Sequence, residues 1–154
     1  MSSSYFKDPQ GAILYGDMPR GGSIPAQAEI DAYLLNQARA TQIATLSNTC
    51  STLCQADFIS NALGANYTYP SKFPTDQLNL DAQCTGALNN PAGMFNTMCM
   101  DSTGKWAYVA HTAAQIKVVG ETNRARIEAL RMNYAAKVAQ VNSATTIAQI
   151  QAVI

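Results

Sequence analysis

The amino-acid sequence predicts a mainly α-helical fold with small β elements, an α+β class in which long helices form a coiled-coil-like or bundle stem and a small head carries a β-hairpin. Three observations predict this class. Residues 26–62 contain neither proline nor glycine and repeat apolar side chains at helical spacing. A second helical pattern begins after Thr112, and short aromatic segments flank turn residues near Pro9 and Gly104. The 154 residues leave room for one domain of ordinary size.

The composition is poor in charge. Charged residues make up 13% of the chain, hydrophobic residues 47%, and the formal net charge is zero at pH 7. Without a basic excess, nucleic-acid binding lacks its usual electrostatic driving force, so we predict no nucleic-acid partner. Weak repulsion between copies favours association. We find neither a signal-peptide pattern nor the ~20 apolar residues of a membrane span, which predicts a soluble cytoplasmic product without membrane insertion.

The first 22 residues are predicted to form an attachment hairpin followed by a flexible linker. Two short segments flank the turn Asp8–Gly11, in which Pro9 presets the backbone. A two-stranded hairpin is marginal alone in water, so its aromatic side chains either pack on the rest of the chain or dock onto another protein. The candidate partner contacts in this segment are Tyr5, Phe6 and Tyr15.

Residues 23–64 are predicted to form one long helix that acts as an oligomerisation stem and ends at Gly64. Its candidate oligomer seam consists of Ile30, Leu34, Leu46, Cys50 and Leu53. Polar side chains at Gln37, Thr41 and Thr45 interrupt this seam, and such interruptions can determine register and strand number in a coiled coil. The stem predicts a homo-oligomer, with a trimer favoured. A helix that packs one face on an intramolecular core is the alternative.

Residues 65–154 are predicted to form a small α+β head with a C-terminal helical hairpin. An extended, proline-bounded stretch at 67–74 precedes a short helix at 75–83, which Leu78 and Leu80 anchor, and a turn-rich loop follows.

A second hairpin is predicted around the turn Asp101–Gly104, with Trp106 and Tyr108 on one face. Thr112 and Gln115 form a capping box at the start of the next helix, and Thr146 and Gln149 form another before a last short helix.

No residue pattern points to catalysis, and we predict a protein that is not an enzyme and has no cofactor or metal. Cys50 and Cys54 lie one helical turn apart, which does not suit a structural zinc site. Cys84 and Cys99 bracket the turn-rich loop and are a candidate disulfide, although free buried thiols are the default for all four cysteines. The single histidine, His111, suits a structural role near a helix start.

Several separated motifs occur in order along the chain: YPSKFPTDQLNL at 69–80, CMDSTGKW at 99–106, HTAAQI at 111–116, ARI at 125–127 and ATTIAQIQAVI at 144–154. Together they resemble an uncharacterised domain family of small bacteriophage proteins encoded around tail-fibre genes. The segment Tyr5–Asp8 with Gly11–Ala12 is similar to the opening hairpin of tail-fibre and fibre-assembly proteins. Many members of the family carry a tryptophan after the position of Ile154, which this sequence does not have.

The resemblance implies a virion or virion-assembly role and supplies no catalytic residues. We therefore expect a bacteriophage virion structural protein, a tail or tail-fibre component that mediates assembly and host attachment. Its expected partners are further copies of itself and other phage tail or fibre proteins, and its expected location is the virion, after assembly in the host cytoplasm.

Two other roles remain open at this point. A tail-fibre assembly chaperone would leave before the virion matures. A receptor-binding fibre tip would expose aromatic side chains for stacking on sugars, and the candidate receptor contacts are Tyr67, Tyr69, Trp106 and Tyr108. The alternative for these four residues is that they form the core of the head.

Overall fold

The computed structural model describes residues 4–18 and 21–154, so residues 19 and 20 of the predicted linker lie outside the described part of the chain. The elements in chain order are β1 (Ser4–Lys7), β2 (Ile13–Gly16), α1 (Gln27–Cys54), β3 (Phe58–Ser60), β4 (Tyr67–Tyr69), α2 (Pro74–Asn89), β5 (Met94–Met100), β6 (Trp106–Thr112), α3 (Ala113–Ser143) and α4 (Ile147–Gln151). Within the described residues the fold is α+β, with four helices and two antiparallel sheets.

The smaller sheet pairs β1 with β2, and the larger one has the strand order β3-β4-β5-β6. Both predicted hairpins are confirmed, because β1 pairs with β2 and β5 pairs with β6 across seven residue pairs from Met94↔Thr112 to Met100↔Trp106. Strand β4 meets β5 at the single pair Thr68↔Met100.

The chain divides into two compact units. The first unit contains residues up to Ser47 together with Ala136–Ile154, and the second unit contains Asn48–Ala135. Helices α1 and α3 therefore each contribute residues to both units. These units do not coincide with the boundaries at 22 and 64 that we predicted.

The predicted coiled-coil-like stem is wrong. Helix α1 ends at Cys54 instead of continuing to Gly64, and Phe58, which falls within the predicted helix, lies in β3 and pairs with Tyr69. Within α1 only Leu46 is buried, while Leu53 is 45% exposed. The physical reason is that the apolar side chains of α1 are too widely interrupted to form a continuous seam.

An arginine that is distant in the sequence bonds to the last carbonyl groups of α1. Arg126 donates from Nη1 to the carbonyl oxygen of Leu53 at 2.7 Å and from Nη2 to that of Cys54 at 3.0 Å. Its guanidinium also lies 5.5 Å from the ring centroid of Phe58. The last carbonyls of a helix have no partner within it, so these bonds stabilise the termination at Cys54.

The second unit has an apolar core beneath the larger sheet. Along β5, Thr97 and Cys99 are buried and Phe95 is half-buried, whereas the alternate Met94 and Asn96 are exposed. Residues from the sheet, α2 and α3 form one buried cluster: Phe58, Tyr69, Leu80, Ala87, Cys99, Ala113, Ile116 and Val119. The two helices therefore cover the inner face of the sheet.

The outer face of this sheet carries a row of side chains across all four strands. The strand registers align Ile59 with Thr68, Thr68 with Met100, and Met100 with Trp106. Ile59 and Trp106 are exposed. The outer face is thus exposed at the two edge strands, β3 and β6.

Helices α2 and α3 approach closely at Gly120. A Cβ atom placed on this residue would lie 2.5 Å from the Sγ atom of Cys84, so only glycine fits there without a shift.

Helix α2 runs to Asn89, beyond its predicted end at Gln83. Leu80 is buried as predicted, but Leu78 is exposed, so its predicted anchoring role is wrong.

The first unit has fewer buried side chains, and polar links join distant segments of it. The Tyr5 ring packs edge-on against Tyr15 and Tyr33, at centroid distances of 5.1 and 6.1 Å. Arg39 donates from Nη2 to the carbonyl oxygen of Ala144 at 2.7 Å, and Gln42 donates to that of Val153. The buried apolar side chains of this unit include Phe6, Leu46, Val141, Ala144 and Ile150.

Both predicted capping boxes are confirmed. The Thr112 amide donates to Gln115 Oε1 at 2.8 Å, and the Gln115 amide donates to Thr112 Oγ1 at 3.3 Å. Thr146 and Gln149 exchange the equivalent bonds, each at 3.2 Å, before α4.

Candidate functional site

The second unit contains an aromatic cleft of about 750 Å³, which is the candidate functional site. Its lining comes from the segment after β4, from α2, and from strands β5 and β6. The residues that matter chemically are Phe73, Asp76, Asn79, Gln83, Trp106 and Tyr108. We refer to these six residues and the space they line as the aromatic cleft.

Strand β6 supplies two aromatic rings to the cleft. The preceding turn is held by Asp101, whose Oδ1 accepts from the Thr103 amide at 2.8 Å and from the Lys105 amide at 3.1 Å. The strand then alternates, so Trp106 and Tyr108 lie on one face as predicted. Trp106 is 41% exposed and Tyr108 is 71% exposed, and both rings are therefore accessible to a ligand.

Helix α2 supplies polar side chains at helical spacing. Asp76, Asn79 and Gln83 follow one another at steps of three and four residues, which places them along one helix face. Asp76 Oδ2 accepts from the Phe73 amide at 3.0 Å, and this bond caps the helix.

Gln83 is held by strand β5. Its Oε1 accepts the hydroxyl of Thr97, and its Nε2 donates to the Asn96 carbonyl oxygen at 3.4 Å. The side chain of Asn79, by contrast, makes no hydrogen bond within the described residues and is exposed. The helix therefore offers one fixed amide, one free amide and a carboxylate to the cleft.

A buried pair, Tyr69 and His111, lies behind the aromatic cleft. His111 Nδ1 is 2.8 Å from the Val109 carbonyl oxygen, which can only accept, so Nδ1 carries the proton. Nε2 is then an acceptor, and the Tyr69 hydroxyl donates to it at 2.8 Å. Burial raises the pKa of Tyr69 well above its usual value. Both side chains are buried, which confirms the predicted structural role of the histidine.

The charges around the aromatic cleft do not favour an anion. The lining includes one lysine, Lys72, and two aspartates, Asp57 and Asp76. Asp57 accepts from the Ser71 amide at 3.1 Å, and the Lys72 amine lies 5.9 Å from the Phe73 ring centroid. A phosphate or carboxylate ligand would meet more negative than positive charge here.

A second cavity, of about 920 Å³, lies between α2 and α3. Its Arg124 is engaged in ion pairs with Glu121 at 2.7 Å and Glu128 at 3.3 Å, and all three side chains are exposed. These pairs form a solvated face of α3. Burial raises the pKa of the Cys84 thiol, which also lines the cavity, so this thiol is not an activated nucleophile.

All four cysteines are free thiols in the structure. Cys84 Sγ is 3.5 Å from the Ile116 carbonyl oxygen, and Cys99 is buried in the core, so the candidate pairing of these two residues is not formed. Burial is the main cause that raises the pKa of the Cys99 and Cys54 thiols. The described residues contain no group of three metal-ligating side chains, and no helix among them has the length and apolar character to cross a membrane.

The predicted oligomer seam does not present one continuous surface. Leu46 is buried within a single chain, Ile30 and Leu34 are half-buried, and the thiol of Cys50 lies 3.8 Å from the Leu130 carbonyl oxygen. These contacts are intramolecular, and they correspond to the alternative in which the helix packs on the chain's own core.

The aromatic residues predicted as partner or receptor contacts fall into two groups. Tyr69 and Phe6 are buried, and Tyr5 and Tyr67 are half-buried, so these four serve the packing of the chain itself. The exposed group consists of Tyr15, Trp106 and Tyr108.

Sequence reasoning missed the contribution of α2 to the cleft. The only signal was the helical spacing of Asp76, Asn79 and Gln83, which does not reveal that these residues lie beside Trp106.

No protein-family model, curated protein or solved structure matches this chain, so the interpretation of the cleft rests on its geometry.

Proposed function

We propose that this chain is a structural protein of a bacteriophage tail or tail fibre, located in the virion, which mediates assembly and attachment. Its proposed partners are other copies of itself, three being the number expected of a fibre, and neighbouring phage tail proteins. The family resemblance of the sequence motifs is the origin of this proposal, and the exposed apolar surface of the first unit is the observation that carries it.

That surface lies on and after the β1-β2 hairpin. Tyr15 is 67% exposed and Ile24 is 82% exposed, and Leu14 and Met18 are exposed beside them in the sequence. Leu14 and Tyr15 are consecutive in β2 and therefore project from opposite faces of the hairpin. We call these four exposed residues the hairpin patch. Each of the two strands has only four residues. A two-stranded hairpin this short cannot bury the side chains on both of its faces by itself. A low-charge chain with such a patch is typical of a subunit that is covered by a neighbour in an assembly.

The motifs that carry the resemblance have structural roles in this chain. Asp101 holds a hairpin turn, Thr112 caps α3, and Tyr69 is bonded to His111 in the core. Gln77 likewise donates to the Ser71 carbonyl oxygen at 3.2 Å. Motifs of this kind support a scaffold that members of one family would share.

Of the four aromatic residues predicted as receptor contacts, two are accessible to a receptor. Trp106 and Tyr108 are exposed, whereas Tyr69 is buried. A tip role for the chain therefore depends on the aromatic cleft of the second unit.

The test is quantitative mass spectrometry of virions purified from the phage that encodes this chain, compared with the infected lysate. We expect the chain in virions at a copy number that is a multiple of three. Presence in the lysate with absence from virions would overturn the proposal in favour of an assembly chaperone.

A matched pair of phage variants sharpens this test. Replacing Leu14 and Tyr15 together with serine should remove the chain from virions while leaving its amount in the lysate unchanged. The control is Met132→Ser, an equally exposed apolar residue in the second unit, which should be incorporated normally. Equal incorporation of both variants would show that the hairpin patch is not the attachment surface.

A further inference from the structure

We propose that the aromatic cleft of the second unit binds a neutral saccharide. This inference goes beyond the proposed virion role, because sugar binding can be measured on the purified chain independently of the particle that contains it. It is carried by the combination of two exposed aromatic rings on β6 with unpaired planar polar groups on α2 in one cleft.

A pyranose ring needs both kinds of surface. Its C–H faces stack on aromatic rings, and its equatorial hydroxyls need donors and acceptors around the ring edge. Trp106 and Tyr108 supply accessible rings, and Tyr108 adds a phenolic hydroxyl at the cleft. Asp76 and Asn79 supply an acceptor and an amide from the α2 side.

One polar group of the cleft is held in place before any ligand arrives. Asp76 Oδ2 is bonded to the Phe73 amide, which fixes the carboxylate, while Oδ1 has no partner within the described residues. A group held in this way loses little conformational entropy on binding. The Asn79 side-chain amide is exposed and unpaired within that part of the chain, so it can bond to a ligand.

Charge disfavours other ligand classes. Two aspartates and one lysine make the lining unfavourable for a phosphate, a uronic acid or a nucleic acid. A neutral ligand meets no such penalty.

The size of the cleft also agrees with a small ligand. Its volume of about 750 Å³ lies within the range of roughly 300–1,000 Å³ that is typical of small-molecule sites. Single saccharide units bind such open sites weakly, and we expect a Kd on the order of 1 mM.

The chain provides its own probe for this site, because Trp106 is its only tryptophan. The experiment titrates purified full-length chain with neutral oligosaccharides: maltotriose, triacetylchitotriose, lactose and mannobiose. Tryptophan fluorescence and saturation-transfer difference NMR are recorded. We expect at least one sugar to change the Trp106 emission and to show saturation transfer to its C–H protons.

Variants separate binding at the cleft from nonspecific binding. Tyr108→Ala and Asn79→Ala alter exposed side chains, and circular dichroism checks that both remain folded. Each should weaken the binding by about tenfold, a change of about 1.4 kcal/mol. The control Tyr15→Ala removes an exposed aromatic ring from the first unit and should bind as the native chain does.

The outcomes that overturn the proposal are specific. No response to any of the four sugars at about tenfold above the expected Kd would do so, as would equal binding by the native chain and both cleft variants. Binding of heparin oligosaccharides or of a proline-rich peptide in place of the neutral sugars would assign the cleft to a different ligand class.

Discussion

The two compact units of this chain are stabilised in different ways. In the second unit, a four-stranded sheet packs its inner face on α2 and α3, and residues such as Ile116 and Val119 are completely buried. In the first unit, the sheet has two strands, and side chains such as Arg39 and Gln42 bond to backbone carbonyls near the C-terminus.

This difference explains where each unit offers a surface to other molecules. The second unit has a larger buried core, and the exposed rings on β6 line its cleft together with side chains of α2. A unit with a small core leaves apolar side chains such as Tyr15 and Ile24 uncovered, which favours association with another protein. Four predictions test this comparison, from the largest expected effect to the smallest.

Ile116→Ala should give the largest loss of stability. Its side chain is completely buried in the core of the second unit, so truncation leaves a cavity and should cost about 2–5 kcal/mol. The measurement is urea unfolding followed by Trp106 fluorescence. Val118→Ala, at an exposed position of the same helix, should change the free energy of unfolding by less than about 0.5 kcal/mol. Similar losses for the two variants would contradict the proposed core.

Arg39→Ala should destabilise the first unit by about 1.5–3 kcal/mol, because the buried Ala144 carbonyl loses a charged donor. Hydrogen exchange of residues 144–154 measures the effect, which should appear as faster exchange in that segment. The control is Arg124→Ala, whose ion pairs are exposed and should contribute about 0–1 kcal/mol. Unchanged exchange in Arg39→Ala would show that the polar links do not hold this unit together.

Tyr69→Phe should cost about 1–3 kcal/mol, because it leaves the buried His111 Nε2 without a donor. The substitution should also change how the free energy of unfolding depends on pH under alkaline conditions. An unfolded tyrosine ionises near pH 10, and burial raises the pKa of Tyr69 in the folded chain. Unfolding therefore becomes easier as the pH rises above about 10, and this dependence should be weaker in Tyr69→Phe.

Unfolding of both proteins between about pH 8 and pH 11 measures that difference. Tyr108→Phe is the control, because its exposed hydroxyl makes no intramolecular hydrogen bond in the described residues, and it should keep the native pH dependence. Identical alkaline slopes for the native chain and Tyr69→Phe would refute the assignment.

The same capping interaction occurs in both units, so the two capping boxes allow the units to be compared. Thr112→Ala in the second unit and Thr146→Ala in the first should each cost about 0.5–2 kcal/mol, and their effects should add, because the two boxes share no partner. Thermal unfolding followed by circular dichroism measures both. Thr75→Ala, an exposed position in α2, is the control with an expected change near zero. Strong coupling between the two cap variants would indicate that the units do not unfold separately.

The features that were predictable from the sequence depend on neighbours along the chain. The turn at Asp101, the cap at Thr112 and the cap at Thr146 all use hydrogen bonds that span four residues or fewer. The amino acids needed for such bonds are visible together in a short stretch of sequence. The hairpins and the alternation that places Trp106 and Tyr108 on one face follow in the same way.

The features that sequence reasoning missed depend on residues far apart. The end of α1 at Cys54 is stabilised by Arg126, 72 positions away, which bonds to the terminal carbonyl. The helical periodicity around Phe58 was outweighed by pairing with Tyr69 in the sheet.

The sequence by itself determined the charge-poor composition, the turns, the caps and the two hairpins, because each depends on composition or on contacts within a few residues. Only the tertiary structure decided that Leu46 of α1 is buried within the chain while Leu53 is exposed, and that Tyr69 is buried while Tyr108 is exposed. It also brought Asp76 and Asn79 beside Trp106. The reason is physical: burial and cleft formation depend on which distant segments pack together, and periodicity along one segment does not specify its partner.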